Sequence, residues 1–443
     1  MTAPDEPSPE TVPLAVSMGR PAWRDTFAAL VVHNYRLYVL AQFVANTAGW
    51  AQRIAVDWLV LEITGSVGLV GVTIALQFLP TLVLGAYAGV IADRFPKRAV
   101  LLVCQSSIAL LSGLLAVLAI TGHSPLWAVY VLVLLIGSLQ VIDSPARSVF
   151  INEMVGPDRL RNAISLNASI FHLGALLGPA ISGVLIVAVG SGWAIALNAV
   201  AVVIGVIVLL SMRRSELVVA PRRARAKGEI REALRYVRSK PTLFWTLVMV
   251  AFVATFGITM PAILAGMASV VYNTGATGYG LYNSLISIGA LLGALASTRR
   301  GVIRLRTIIL GALVYGVLQL LAGAAPIYLL FLVLLPTIGL SRLLYMTAGE
   351  TMVQLSSNLA IRGRIMALWV QIVVGGQAIG GPLMGFLTEH LGARVAMMVS
   401  GGVPAVAAIV IAVLLARRGQ LRLAFRIRRG LWLTVEPRRQ TAL

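Results

Sequence analysis

Gly89-Val90-Ile91-Ala92-Asp93-Arg94-Phe95-Pro96-Lys97-Arg98 is the stretch on which the fold turns. Its last six positions hold one acid, three cations and a proline, between two long apolar runs at 70–91 and 99–120. About 20 mainly apolar residues suffice to cross a bilayer as a helix. Backbone groups in lipid must bond within their own segment, so runs of this length read as helices. The charged decapeptide is therefore a tight turn between two spans.

Working outward, the same reading recurs along the chain. Of its 443 residues 58% are hydrophobic and 12% charged, unlike an ordinary soluble domain. Twelve apolar runs follow one another, roughly at 38–61, 69–91, 99–121, 126–146, 163–189, 193–211, 243–271, 279–298, 307–323, 327–348, 365–388 and 394–416. The ten-residue alternating strands of a membrane barrel are absent from the pattern. The expected fold is an all-α polytopic membrane protein with twelve transmembrane helices.

The formal charge of +20 raises the question of nucleic acid, and its placement answers it. Only Arg53, Arg342 and Arg394 lie outside the two tails and the even-numbered gaps between spans; the other Lys and Arg of the 36 lie within them. That is the positive-inside pattern, and it puts both termini in the cytoplasm. No nucleic-acid partner is expected. The first 35 residues lack the order of a cleaved signal peptide. Cys104, the single cysteine, excludes an intramolecular disulfide. Four histidines and few acids leave little from which to build a catalytic or metal centre, so no enzyme, metal or cofactor is expected. No phosphate-binding Gly-x-x-x-x-Gly-Lys-[Ser/Thr] loop supplies an ATPase motor.

Residues 212–240 form the one long internal connector and carry ten Lys or Arg. They divide the chain into a cytoplasmic tail (1–37), a six-helix bundle (38–211), the basic linker, a second six-helix bundle (241–416) and a basic tail (417–443). Within the linker, apolar positions 230, 233, 234 and 237 form a helical stripe suited to a membrane surface. The halves echo each other. Gly174, Gly178, Pro179 and Gly183 in the fifth run correspond to Gly376, Gly380, Gly381, Pro382 and Gly385 in the eleventh, the prolines 203 positions apart. Shifting Gly89 by nearly the same interval lands on Gly293, ahead of Arg299-Arg300. Shared spacing at three landmarks argues for duplication and two pseudo-symmetric bundles. Small residues at every fourth position let helices approach closely.

Ionisable residues inside spans are costly, at least ~2.5–3.5 kcal/mol each, and mark function by default. Arg53 and Asp57 lie one turn apart in the first run. Two readings stand: a structural pair, or a proton-loading acid, Asp57, whose cation partner is displaced. Arg342, with Tyr345 a turn later, sits deep in the tenth run and is a candidate for an anionic substrate group or an interhelical pair. Trp50, Gln140 and Gln371 complete the cavity candidates. At the inner end of the fourth run Asp143 and Arg147 are spaced for an i,i+4 pair, although Pro145 disturbs the backbone between them. With Gly89, Asp93, Arg94, Lys97 and Arg98 they form a candidate cytoplasmic gate.

The spacing Gly-x-x-x-Asp-Arg-x-x-[Arg/Lys]-[Arg/Lys] resembles the cytoplasmic signature of major facilitator superfamily transporters. Residues 49–61, 143–147 and 156–163 look like a bacterial branch that includes the enterobactin exporter and macrolide-efflux proteins. The Gly-Pro motif of the fifth run resembles that of exporter branches, with Ser182-Gly183 in place of the final glycine pair. This resemblance covers residues 25–416. It implies a monomeric, proton-driven secondary transporter that exports a drug, antibiotic, siderophore or other amphiphile by alternating access, its site between the two halves. The fourth run lacks the Arg-x-x-Gln-Gly of many multidrug exporters. A lipid or lysolipid transporter of the same fold, or a non-transporting receptor or scaffold, are the alternatives.

Overall fold

The computed structural model describes residues 28–213, 216, 229–297, 304–358, 361–417, 422–427 and 431–436; the side chains of 86–93, 157, 161, 229–231 and of the last two segments fall outside that description. The spans are α1 (His33–Thr64), α2 (Val67–Arg94), α3 (Lys97–Ile120), α4 (Leu126–Gly156), α5 (Asp158–Val189) and α6 (Ser191–Ser211) in the first bundle. After the linker helix α7 (Glu229–Ser239) come α8 (Pro241–Val271), α9 (Gly275–Ser297), α10 (Leu305–Gly323), α11 (Tyr328–Leu355), α12 (Arg362–Leu391) and α13 (Ala393–Arg417). Among the described residues these are twelve membrane helices in two six-helix bundles. Eleven of them are long and apolar enough to cross a membrane on composition alone. The exception is α1, long enough at 32 residues but diluted by the amides and charges it carries.

Most helices outrun the apolar stretches by a few residues, because a helix continues into polar sequence once it leaves lipid. Helix α4 outruns its stretch furthest. It passes straight through Pro145, where the sequence suggested a disturbed end, and continues to Gly156. The break comes there because Gly156 adopts φ 71°, ψ 176°, a conformation essentially reserved for glycine, and Pro157 follows.

The duplicated Gly-Pro motifs do matching work in the two halves. A Cβ on Gly178 would stand 2.5 Å from Trp50 Cβ and 2.7 Å from the Thr47 oxygen, so α5 lies directly on α1. One on Gly183 would stand 3.1 Å from Gly280 Cα on α9, in the other bundle. Gly376 likewise presses α12 onto α8, with a Cβ 2.6 Å from that of Ala254. Gly381 and Gly385 carry α12 across to α2, where added Cβ atoms would meet the Gly71 oxygen at 2.7 Å and Gly71 Cα at 2.9 Å. Each motif thus packs its helix on the first helix of its own bundle and on the second helix of the other. Side chains of any size at these crossings would hold the bundles apart.

Two further features depart from the sequence reading. Helix α8 contains π-helical turns at Val253–Gly257 and Met267–Val271. The first offers the Gly257 carbonyl to Tyr315 Oη at 2.6 Å and Gln319 Nε2 at 2.9 Å on α10. Helix α7 does not rest its whole stripe on lipid: Ala233 and Val237 are buried in protein and Leu234 is exposed. Glu232 pairs with Arg364 of α12 at 2.6 Å, and Tyr236 Oη accepts from the Asn358 amide at 3.3 Å. Within the basic tail, β1 (Arg422–Ile427) pairs antiparallel with β2 (Leu431–Glu436).

Candidate functional site

The bundles are shut against each other at one end. Ser66, the N-cap of α2, donates to Glu389 of α12 at 2.5 Å, and the Gly68 amide donates to the same carboxylate oxygen at 2.7 Å. A carboxylate on a helix N-terminus is favoured by the free N–H groups there. Deeper in, Trp58 of α1 stacks on Tyr279 of α9 with ring centroids 5.8 Å apart. At this same end Arg394, one of the three arginines off the basic pattern, donates to the Ala325 carbonyl at 2.5 Å and so caps α10.

From this closure a cavity of about 840 Å³ runs toward the end that carries the basic connectors. Along α1 its wall extends from Val56 to Gln42, about 21 Å at 1.5 Å per residue. It lies mainly within the first bundle. Helices α1 to α6 all contribute, and among the described residues α12 alone faces it from the second bundle, through residues such as Gln371. The resemblance implies a site between the two halves; this cavity is shared by them unevenly.

Trp50, Arg53, Gln140 and Gln371 all line this cavity, as do Asp143 and Arg147. Arg53 Nη2 donates to Gln140 Oε1 at 3.4 Å, and its guanidinium lies 4.9 Å from the centre of the Trp50 ring and 5.5 Å from that of Phe78. Such faces attract a cation. Asp57 is 3% exposed and sits behind the wall, at the seam between bundles. Its carboxylate accepts from Gln77 Nε2 at 3.1 Å and from Tyr279 Oη at 3.2 Å. Arg53 and Asp57, spaced for an i,i+4 pair, thus make no ion pair with each other among the described residues. The acid is turned to the seam and the cation to the cavity.

Asp143 and Arg147 do pair, and Arg147 also donates to Gln42 of α1. The continuous helix through Pro145 keeps them one turn apart. Of the proposed gate partners, Arg98 donates to the Leu209 and Leu210 carbonyls at 2.8 and 3.0 Å and caps α6. Lys97 Nζ reaches the Phe95 carbonyl at 3.5 Å, and Arg94 is exposed at the end of α2. The Asp93 side chain and the surroundings of Gly89 lie outside the described residues.

Arg342 and Tyr345 do not line the cavity. Helix α11 crosses α9 so closely that a Cβ on Gly293 would stand 2.9 Å from the Leu340 oxygen. That crossing turns Tyr345 into the second bundle, buried against Gly311, with no partner for its hydroxyl. Arg342 is half-buried and makes no hydrogen bond or ion pair among the described residues. Tyr279, Phe78, Gln42 and the Ser66–Glu389 contact escaped the sequence reading. A tyrosine at a helix start and a glutamate at a helix end are ordinary interfacial residues, and only the other bundle gives them a role.

Known proteins agree with this architecture. Residues 24–424 match the family of transmembrane secretion effectors. The enterobactin exporter of Citrobacter koseri is 26% identical over 405 residues, covering 90% of this chain and 95% of its own. That of Salmonella typhi is 24% identical over the same shares. Among solved structures, a bacterial homologue of the human lysosomal transporter Spinster, inward-facing and unoccupied, superposes with a TM-score of 0.66 at 15% identity, over 87% of this chain and 96% of that one. The nucleoside transporter NupG gives 0.68 at 12% identity, over 86% and 99%. At these identities the two structures speak to the fold alone, and the sequence match to the family. The chain belongs to the transmembrane secretion effectors, within the major facilitator superfamily of transporters.

Proposed function

We propose that this transporter exports a small amphiphile from the cytoplasm across the bacterial inner membrane in exchange for protons. The observation that carries the reading is the split of Arg53 from Asp57. A carboxylate buried at the seam between two bundles, held by one donor from each, is placed to sense both proton and conformation. With the termini and basic connectors cytoplasmic, the cavity faces the cytoplasm and the opposite end is shut. Ionised, Asp57 strengthens the link to Tyr279, because a charged acceptor makes the stronger hydrogen bond. Export as the direction rests on the relatives, whose shared name is enterobactin exporter.

Accumulation of labelled amphiphiles in an efflux-deficient host tests this. Expected is depletion of at least one compound by the wild-type protein, abolished by a protonophore and cut about tenfold or more by Asp57→Asn at equal expression. Depletion that survives both treatments sinks proton coupling through Asp57. Raised accumulation reverses the direction, and a panel left untouched points to lipid substrates.

A further inference from the structure

Among the described residues the cavity carries one charge that no ion pair matches, Arg53, on which Asp57 acts only through space. Three ionisable side chains line the cavity, Arg53, Asp143 and Arg147; the last two form an ion pair, although Asp143 Oδ1 has no hydrogen-bond partner among the described residues. Asp57, the nearest acid to Arg53 along the helix, is held at the seam by Gln77 and Tyr279. Arg53 is left facing the void with one amide acceptor at 3.4 Å and two aromatic faces. A guanidinium presents five donors in a planar fork that matches a carboxylate. Stacking on rings uses its faces and leaves its edge free. The same cavity wall also holds the uncharged polar side chains of Asn46, Gln77, Asn167 and Gln371 and the apolar rings of Phe78 and Phe171.

From this arrangement we infer that Arg53 is a subsite for the carboxylate of an acidic, aromatic-faced amphiphile, kept vacant by the two hydrogen bonds that hold Asp57 away. The inference rests on the export reading for its direction but not for its chemistry. It also explains release. When the bundles part at the closed end, Tyr279 leaves with α9. Asp57, one turn from Arg53, is then free to take the guanidinium and expel the bound acid. A proton on Asp57 afterwards frees Arg53 for the return. Substrate and ionised Asp57 compete for one cation, as exchange of substrate for proton requires.

Three fluorescent probes of one shape and different charge test the subsite: dansylglycine (a carboxylate), dansylglycinamide (neutral) and N-dansylethylenediamine (an ammonium). Binding is measured by anisotropy on the full-length protein in nanodiscs of uncharged lipid. Expected is a preference of about tenfold or more for dansylglycine over the amide, the scale of one hydrogen bond to a charged group. Arg53→Gln removes the preference of dansylglycine over the amide; Arg53→Lys keeps part of it. Tyr279→Phe, which releases Asp57 toward Arg53, weakens dansylglycine alone, and the double variant Tyr279→Phe with Asp57→Asn restores it. A merely structural Tyr279 would not produce that rescue. Equal binding of all three probes, preference for the ammonium, no binding at all, or a carboxylate preference that survives Arg53→Gln overturns the subsite. Because binding needs no transport, any of these leaves the export reading to the accumulation experiment, and failure of export leaves the subsite standing.

Discussion

At the scale of single residues, Asp57 carries the most weight. Asparagine has the same shape and keeps an oxygen to accept from Gln77 or Tyr279, so Asp57→Asn should fold normally and lose only charge and proton. We expect proton-driven export to fall about tenfold or more, ~1.4 kcal/mol of coupling, with an unchanged size-exclusion profile as the control. Asp57 and Arg53 were legible in the sequence because ionised groups inside apolar runs are expensive and rarely accidental. Their separation was not legible. The i,i+4 spacing favours pairing, and what holds Asp57 away is an amide on α2 together with a hydroxyl 222 positions away. Tyr345 shows the converse: its place beside Arg342 suggested a cavity, and packing of α11 on α9 turned it into a core.

Among elements, the glycine rows of α5 and α12 decide how closely helices approach. Gly381→Val would drive side-chain atoms into the Gly71 carbonyl, only 2.7 Å from the position of a Cβ. Overpacking of this kind costs about 1–3 kcal/mol, to be read as a lowered unfolding midpoint in detergent. Because the crossing joins the bundles, export should fall with it. Gly156 tests backbone instead of space. Nothing lies within 4 Å of its would-be Cβ, yet its φ of 71° and ψ of 176° are strained for any L side chain. Gly156→Ala should therefore destabilise by about 1–3 kcal/mol. Gly363→Ala, equally open but near the start of α12 with no left-handed φ, should be neutral or stabilising. Equal behaviour of the two would show that the break after α4 is not a backbone requirement. Both glycine rows were legible from their repeated spacing; which helices they would touch was not.

For the whole molecule, the proposed alternating access requires the closed end to open. Ser66 and Glu389 bridge the bundles at that rim. A protein carrying Ser66→Cys and Glu389→Cys should stop exporting when a short bifunctional methanethiosulfonate joins the two, and resume on reduction. Cys104 is buried and does not interfere. Undiminished export by fully cross-linked protein would show that this rim does not move. The sequence by itself determined the twelve spans, their division six and six, the positions of the close crossings and the cost of the charges within them. Length, hydropathy and spacing are local properties, and lipid leaves the backbone no choice but helix. Tertiary structure alone decided that the cavity belongs mainly to the first bundle, that Arg53 faces it and that Asp57 does not. Those outcomes depend on the rotation of each helix about its axis, which is set by which small residues meet across a crossing and which donor from the other bundle reaches a buried acid first.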